Sequence, residues 1–78
     1  MKIEVLGTGC PKCIALEAIV KQAIASSGKF VQLEKVDDIM KIMEYQVVST
    51  PGLVIDGKVV STGKALSLNE VMAFMDKA

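Results

Sequence analysis

The sequence predicts an α/β fold in the order β-α-β-α-β-β-α: a four-stranded mixed sheet flanked by helices, as a single domain over residues 1–78. Three observations predict it. A short β-type run, Lys2 to Leu6, breaks at Gly7-Thr8-Gly9 and gives way to a long helical period from Pro11. Asp56-Gly57 stands between two apolar runs, a strong short-range hairpin signal. Ser67-Leu68-Asn69-Glu70 is a capping box that opens a last amphipathic segment.

Each element follows from local chemistry. Pro11 suits a first helical turn, where its missing N–H costs nothing. From there to Ser26, Leu16, Val20, Ala23, Ile24 and Ser27 share one face, and Glu17 with Lys21 forms an i,i+4 pair. Ser27-Gly28 is the stop. Phe30 to Val36 alternates, with Val31 and Leu33 on one side and Gln32 and Glu34 on the other, as in an edge strand. Asp37 or Asp38 caps a short helix through Glu44, in which Ile39, Ile42 and Met43 are expected to point inward. Val47-Val48-Ser49-Thr50-Pro51 leads to Leu53-Val54-Ile55, the Asp56-Gly57 turn and Lys58-Val59-Val60. Ser61-Thr62-Gly63 is a second stop. The last helix should bury Leu68, Val71, Met72 and Met75. The first βαβ unit crosses over to a parallel strand.

Composition narrows the function classes. Hydrophobic residues are 51% of the chain, too many for disorder and enough for one small core. Nine lysines balance nine acidic residues, and there is no Arg. Without a basic excess, nucleic-acid binding loses its usual basis. No apolar run approaches the roughly 20 residues of a membrane span, and the apolar start is too short for a signal-peptide core. The expected setting is cytoplasmic, and the expected state a monomer. The lysines are scattered as a solvated surface. Met40, Met43, Met72 and Met75 fall at helical spacing and are expected as core filler.

The two cysteines, Cys10 and Cys13, carry the chemistry. A bridge between them closes a tiny loop worth about 2 kcal/mol at best, a poor staple for a small domain. Cys10 sits where a glycine turn meets a helix start, whose free N–H groups and partial positive charge favour a thiolate. Lys12 adds a positive charge inside the motif. Cys13 falls one turn in and points inward. The division this suggests is an exposed attacking Cys10 and a shielded resolving Cys13. A pKa lowered from 8.5 to about 7 multiplies the thiolate at neutral pH roughly 15-fold, and the loss of intrinsic nucleophilicity leaves a net gain of about threefold. Two other readings stand beside this one. The pair is an inert buried couple, or its two thiolates take a soft ion such as copper or arsenic, in a chain without His to complete a zinc site.

Thr8-Gly9-Cys10-Pro11-Lys12-Cys13 between strand and helix, followed by Ser49-Thr50-Pro51 before a hairpin, resembles the thioredoxin/glutaredoxin superfamily. More closely, the chain resembles the small prokaryotic thioredoxin-like proteins of the redox-active disulfide protein 2 family. The likeness runs from Gly7-Thr8-Gly9-Cys10 through Val47 to Val60 and on to Gly63-Lys64 ahead of the last helix. It implies a thioredoxin-like fold and a thiol–disulfide oxidoreductase, with Cys10 the nucleophile and Cys13 the resolving thiol. Pro51 would be a cis-proline beside the pair. The Thr50 backbone would hold an extended substrate segment, with Pro11 and Lys12 completing the substrate-binding surface. Glu4, on the first strand, is the candidate proton relay, with a solvated strand carboxylate as the plain alternative. Implied partners are disulfide-containing proteins and a thioredoxin-reductase-like electron donor. No bound cofactor and no resident metal is implied.

The departures from better-known relatives are specific. Gly9 stands where thioredoxins carry a Trp before the first cysteine. Ser61-Thr62-Gly63-Lys64-Ala65 lacks the Gly-Gly and acid with which glutaredoxins hold glutathione. The competing class is a soft-metal chaperone module, which shares the CxxC at the end of its first strand but has the order β-α-β-β-α-β and ends on a strand.

Overall fold

A computed structural model describes residues 1–47 and 49–77. The elements are β1 (Lys2–Leu6), α1 (Pro11–Ser27), β2 (Gln32–Val36), α2 (Ile39–Glu44), β3 (Gly52–Ile55), β4 (Lys58–Thr62) and α3 (Leu68–Lys77). The order is the one the sequence predicts, and it ends on a helix, unlike the chaperone module. The sheet runs β2-β1-β3-β4, with β1 parallel to β2 and the other neighbours antiparallel. No described helix is long and apolar enough to cross a membrane.

β1 is central and buried from Ile3 to Leu6 because both its faces are covered. Alternation along the strand sorts the core into two layers. Ile3 and Val5, with Leu53 and Ile55 of β3, pack against Leu16, Val20 and Ala23 of α1 and Val71 and Met75 of α3. Leu6, with Val36 and Val54, packs on the other face against Ile42 and Val47.

Local signals end the elements where expected. Gly28 closes α1 with φ 69°, and Glu17 pairs with Lys21 at 3.5 Å. Asp38 caps α2, its carboxylate accepting from the Met40 N–H at 2.9 Å. Asp56 and Gly57 take φ 51° and 81°, both left-handed, as a primed hairpin turn requires. Ser67 and Glu70 exchange both bonds of the capping box, at 3.1 and 3.2 Å.

Four expectations need correction. In α2 only Ile42 is buried; Ile39 and Met43 are each 62% exposed, and Met40 is exposed as well. A six-residue helix lying on a sheet presents little more than one side chain to it, so helical spacing alone overstates its inward face. The expectation that the methionines are core filler therefore holds for Met75 and fails for Met40 and Met43. β2 starts at Gln32, leaving Phe30 96% exposed, because the partner strand begins only at Lys2. β4 runs on to Thr62: its register with β3 slips between Leu53 and Val54, and this bulge returns Ser61 and Thr62 to pairing. Of the Val47–Pro51 run, Val48 lies outside the described residues.

Candidate active site

Strand register gathers the site at one end of the sheet. Leu6, the last residue of β1, pairs with Val36 at the end of β2 and with Gly52 at the start of β3, which in turn pairs with Thr62 at the end of β4. The Gly7 N–H continues the ladder to the Val36 carbonyl at 2.9 Å. One further step of the antiparallel register sets Pro51 across from Gly7. The turn from β1 into α1 and the loop into β3 therefore meet, although they are far apart in sequence.

Cys10 is the N-cap of α1, with extended backbone (φ −66°, ψ 161°), and Pro11 opens the helix behind it. Its Sγ accepts from the Cys13 N–H at 3.3 Å. That N–H is one of the donors a helix start leaves unpaired, and the first turn holds no acidic residue to compete for it. Cys10 and Cys13 are joined by a disulfide. Cys10 is half-buried at the surface, whereas Cys13 is 2% exposed. Pro11 and Lys12 are exposed beside it.

On the facing loop, Thr50 is exposed and Pro51 is fully buried. The Thr50–Pro51 peptide bond is cis. The Pro51 carbonyl accepts from the Gly63 N–H at 2.8 Å, anchoring the loop to the end of β4. Gly63 has φ 72°, so the backbone calls for glycine, and a Cβ there would crowd the Ser49 Cβ at 3.2 Å.

The structure brings Cys10, Pro11, Lys12, Cys13, Thr50 and Pro51 to one end of the molecule. It sets Glu4 apart. Even-numbered residues of β1 face α2, so the Glu4 side chain lies across the sheet from α1. Glu4 is 8% exposed; its carboxylate accepts from the Tyr45 hydroxyl on both oxygens and stands 3.9 Å from the Lys2 ammonium. These groups line an open cavity of about 390 Å³ with Glu34, Lys41 and Glu44. The bond to Glu4, with burial adding to it, raises the Tyr45 hydroxyl above its usual pKa. Sequence reasoning missed Tyr45, since a lone aromatic after a short helix carries no motif.

A disulfide-bonded pair at a strand-to-helix turn and a cis-proline before β3 thus stand at the same end of the sheet. The profile of the thioredoxin-domain family matches residues 1–76. The chain belongs to the thioredoxin-domain family. A thioredoxin of Methanothermobacter thermautotrophicus is 34% identical over 71 residues, which span 91% of this chain and 92% of that protein. A thioredoxin of Methanocaldococcus jannaschii is 39% identical over 69 residues, 88% of this chain and 79% of that one. With the bridged Cys10–Cys13 pair in place, this thioredoxin-domain protein is a thiol–disulfide oxidoreductase.

Proposed function

We propose that Cys10 is the attacking thiol and Cys13 the resolving thiol of a dithiol reductant of protein disulfides. The difference in burial between the two sulfurs carries this reading: only Cys10 is open to a substrate, and Cys13 lies one turn beneath it. The Cys10 thiolate attacks one sulfur of a substrate disulfide and forms a mixed disulfide, and the other substrate sulfur leaves as a thiolate and takes up a proton. Cys13, losing its proton, attacks Cys10 Sγ. The Cys10–Cys13 bond forms, the second substrate thiol departs, and two electrons have passed to the substrate. The Cys13 N–H that meets Cys10 Sγ, the helix terminus and exposed Lys12 all favour Cys10 as the anion when it attacks.

In this reading the exposed Thr50 backbone takes an extended substrate segment as an added strand, over a floor made by Pro51, with Pro11 and Lys12 on its other side. Glu4 would act in proton transfer only from across the sheet, where its carboxylate accepts from Tyr45. An external donor of the thioredoxin-reductase type recharges the oxidised pair. Residues 1–78 work as one domain and a monomer, in the cytoplasm, where thiols are kept reduced.

The test is a Cys13→Ser variant incubated with disulfide-bearing proteins. Covalent adducts on Cys10 that dithiothreitol removes are expected. A variant that gathers no adducts, or gathers them equally when Cys10 is also replaced, defeats the assignment. Alkylation of reduced Cys10 against pH should titrate well below 8.5, the value of a free thiol.

A further inference from the structure

We propose that Gly7 is the positioning residue for the Cys13 sulfur: the space where its side chain would stand is the slot that receives Sγ. Gly7 is buried, and its N–H is held by the Val36 carbonyl as the ladder's last bond. Its backbone does not require glycine. Gly9, Gly28, Gly57 and Gly63 have positive φ, and Gly7 does not. Space is what requires it. Odd-numbered residues of β1 face α1, as Ile3 and Val5 do, and Gly7 continues that face beneath the first turn of the helix. A Cβ on Gly7 would crowd the Cys13 Cβ at 3.0 Å and would lie nearer to Cys13 Sγ than real Cβ atoms come. The neighbour cannot yield easily, because the nearest atoms belong to a short side chain on a helix packed against the sheet.

The slot acts differently on the two redox states. In the disulfide, Cys13 Sγ is bonded to Cys10 Sγ and cannot swing to another rotamer. In the dithiol it is free to take another staggered position. A methyl group at Gly7 therefore opposes the oxidised form more than the reduced one. Reduction by glutathione shows the balance. Two glutathione thiols give up their hydrogens, the Cys10–Cys13 bond breaks, two S–H bonds form, and glutathione leaves as its own disulfide, two electrons having moved to the protein.

This inference rests on the disulfide exchange proposed above, and the experiment separates the two. Wild-type protein and Gly7→Ala are equilibrated in graded mixtures of reduced and oxidised glutathione, and the dithiol fraction is read by alkylation and mass spectrometry. The variant's equilibrium should move at least tenfold toward the dithiol, about 30 mV for a two-electron couple. The urea midpoint of its oxidised form should fall further than that of its reduced form. Equal falls in both forms with an unmoved equilibrium would show a merely structural glycine and overturn the proposal. A wild-type pair that never reduces brings down the exchange reading, and this inference with it. If oxidised Gly7→Ala does not fold, the same substitution is made in a Cys10→Ala/Cys13→Ala background. It should fold there with a much smaller loss of stability, and failure there too overturns the proposal.

Discussion

The Tyr45 hydroxyl donates to both oxygens of the Glu4 carboxylate, at 3.0 Å each, and so ties the end of α2 to the central strand. Tyr45→Phe removes that donor from the carboxylate of a buried residue. The adjoining cavity is open to solvent, so the cost belongs near the low end for a lost bond to a charged group, about 1.5 kcal/mol by urea unfolding at pH 7. The pH dependence has a definite sign. The folded hydroxyl has its pKa raised above 10.0 by Glu4, so its contribution is whole below pH 10 and fades as pH rises through the folded value. The gap between wild type and Tyr45→Phe should therefore narrow in strongly alkaline buffer. A gap that widens there contradicts the bond.

Acid should act on the start of α3. The Ser67 backbone and hydroxyl hold the Glu70 carboxyl below its ordinary 4.5, so its contribution is present above pH 4.5 and is lost as pH falls through the folded value. Glu70→Gln should lack that part of the acid sensitivity, seen as a flatter melting temperature below pH 4.5. Ser67→Ala should cost about 1 kcal/mol at neutral pH, as a lost N-cap.

Within α2 the two neighbours Ile42 and Met43 should behave oppositely. Ile42 is buried with Leu6, Val36, Val47 and Val54, and Ile42→Ala should cost about 2 kcal/mol or more. Met43 is exposed, and Met43→Ala should stay within about 0.5 kcal/mol. Denaturant midpoints that rank the pair the other way would reject the observed face of the helix.

The hairpin turn offers a backbone test. Gly57 has φ 81°, and Gly57→Ala should cost about 1 kcal/mol, or roughly 4–8 °C in melting temperature for a domain of this size. The turn is also pinned from outside, since the Asp56 carboxylate accepts from the Lys2 N–H at 2.8 Å. An unchanged melting temperature would mean that the turn relaxes to another type.

What could be read without coordinates is what one turn of chain decides for itself. Pro11 and Gly28 bound the long helix, Asp38 caps the short one, Asp56-Gly57 makes the hairpin, and Ser67 with Glu70 opens the last helix. The placing of Cys10 at a helix start is of this kind, because its capping bond spans a single turn. Those signals involve neighbours in sequence, so element order and the half of the site held by α1 were legible. Tertiary structure decided the rest. The register of β1 with β3 set Gly52, the residue after Pro51, against Leu6, the residue before Gly7; the alternation of β1 sent Glu4 to Tyr45, across the sheet from α1; and the shortness of α2 left Met40 and Met43 in solvent. In each case the outcome depends on what lies on the opposing layer, and that partner comes from a distant part of the chain whose identity no local pattern encodes.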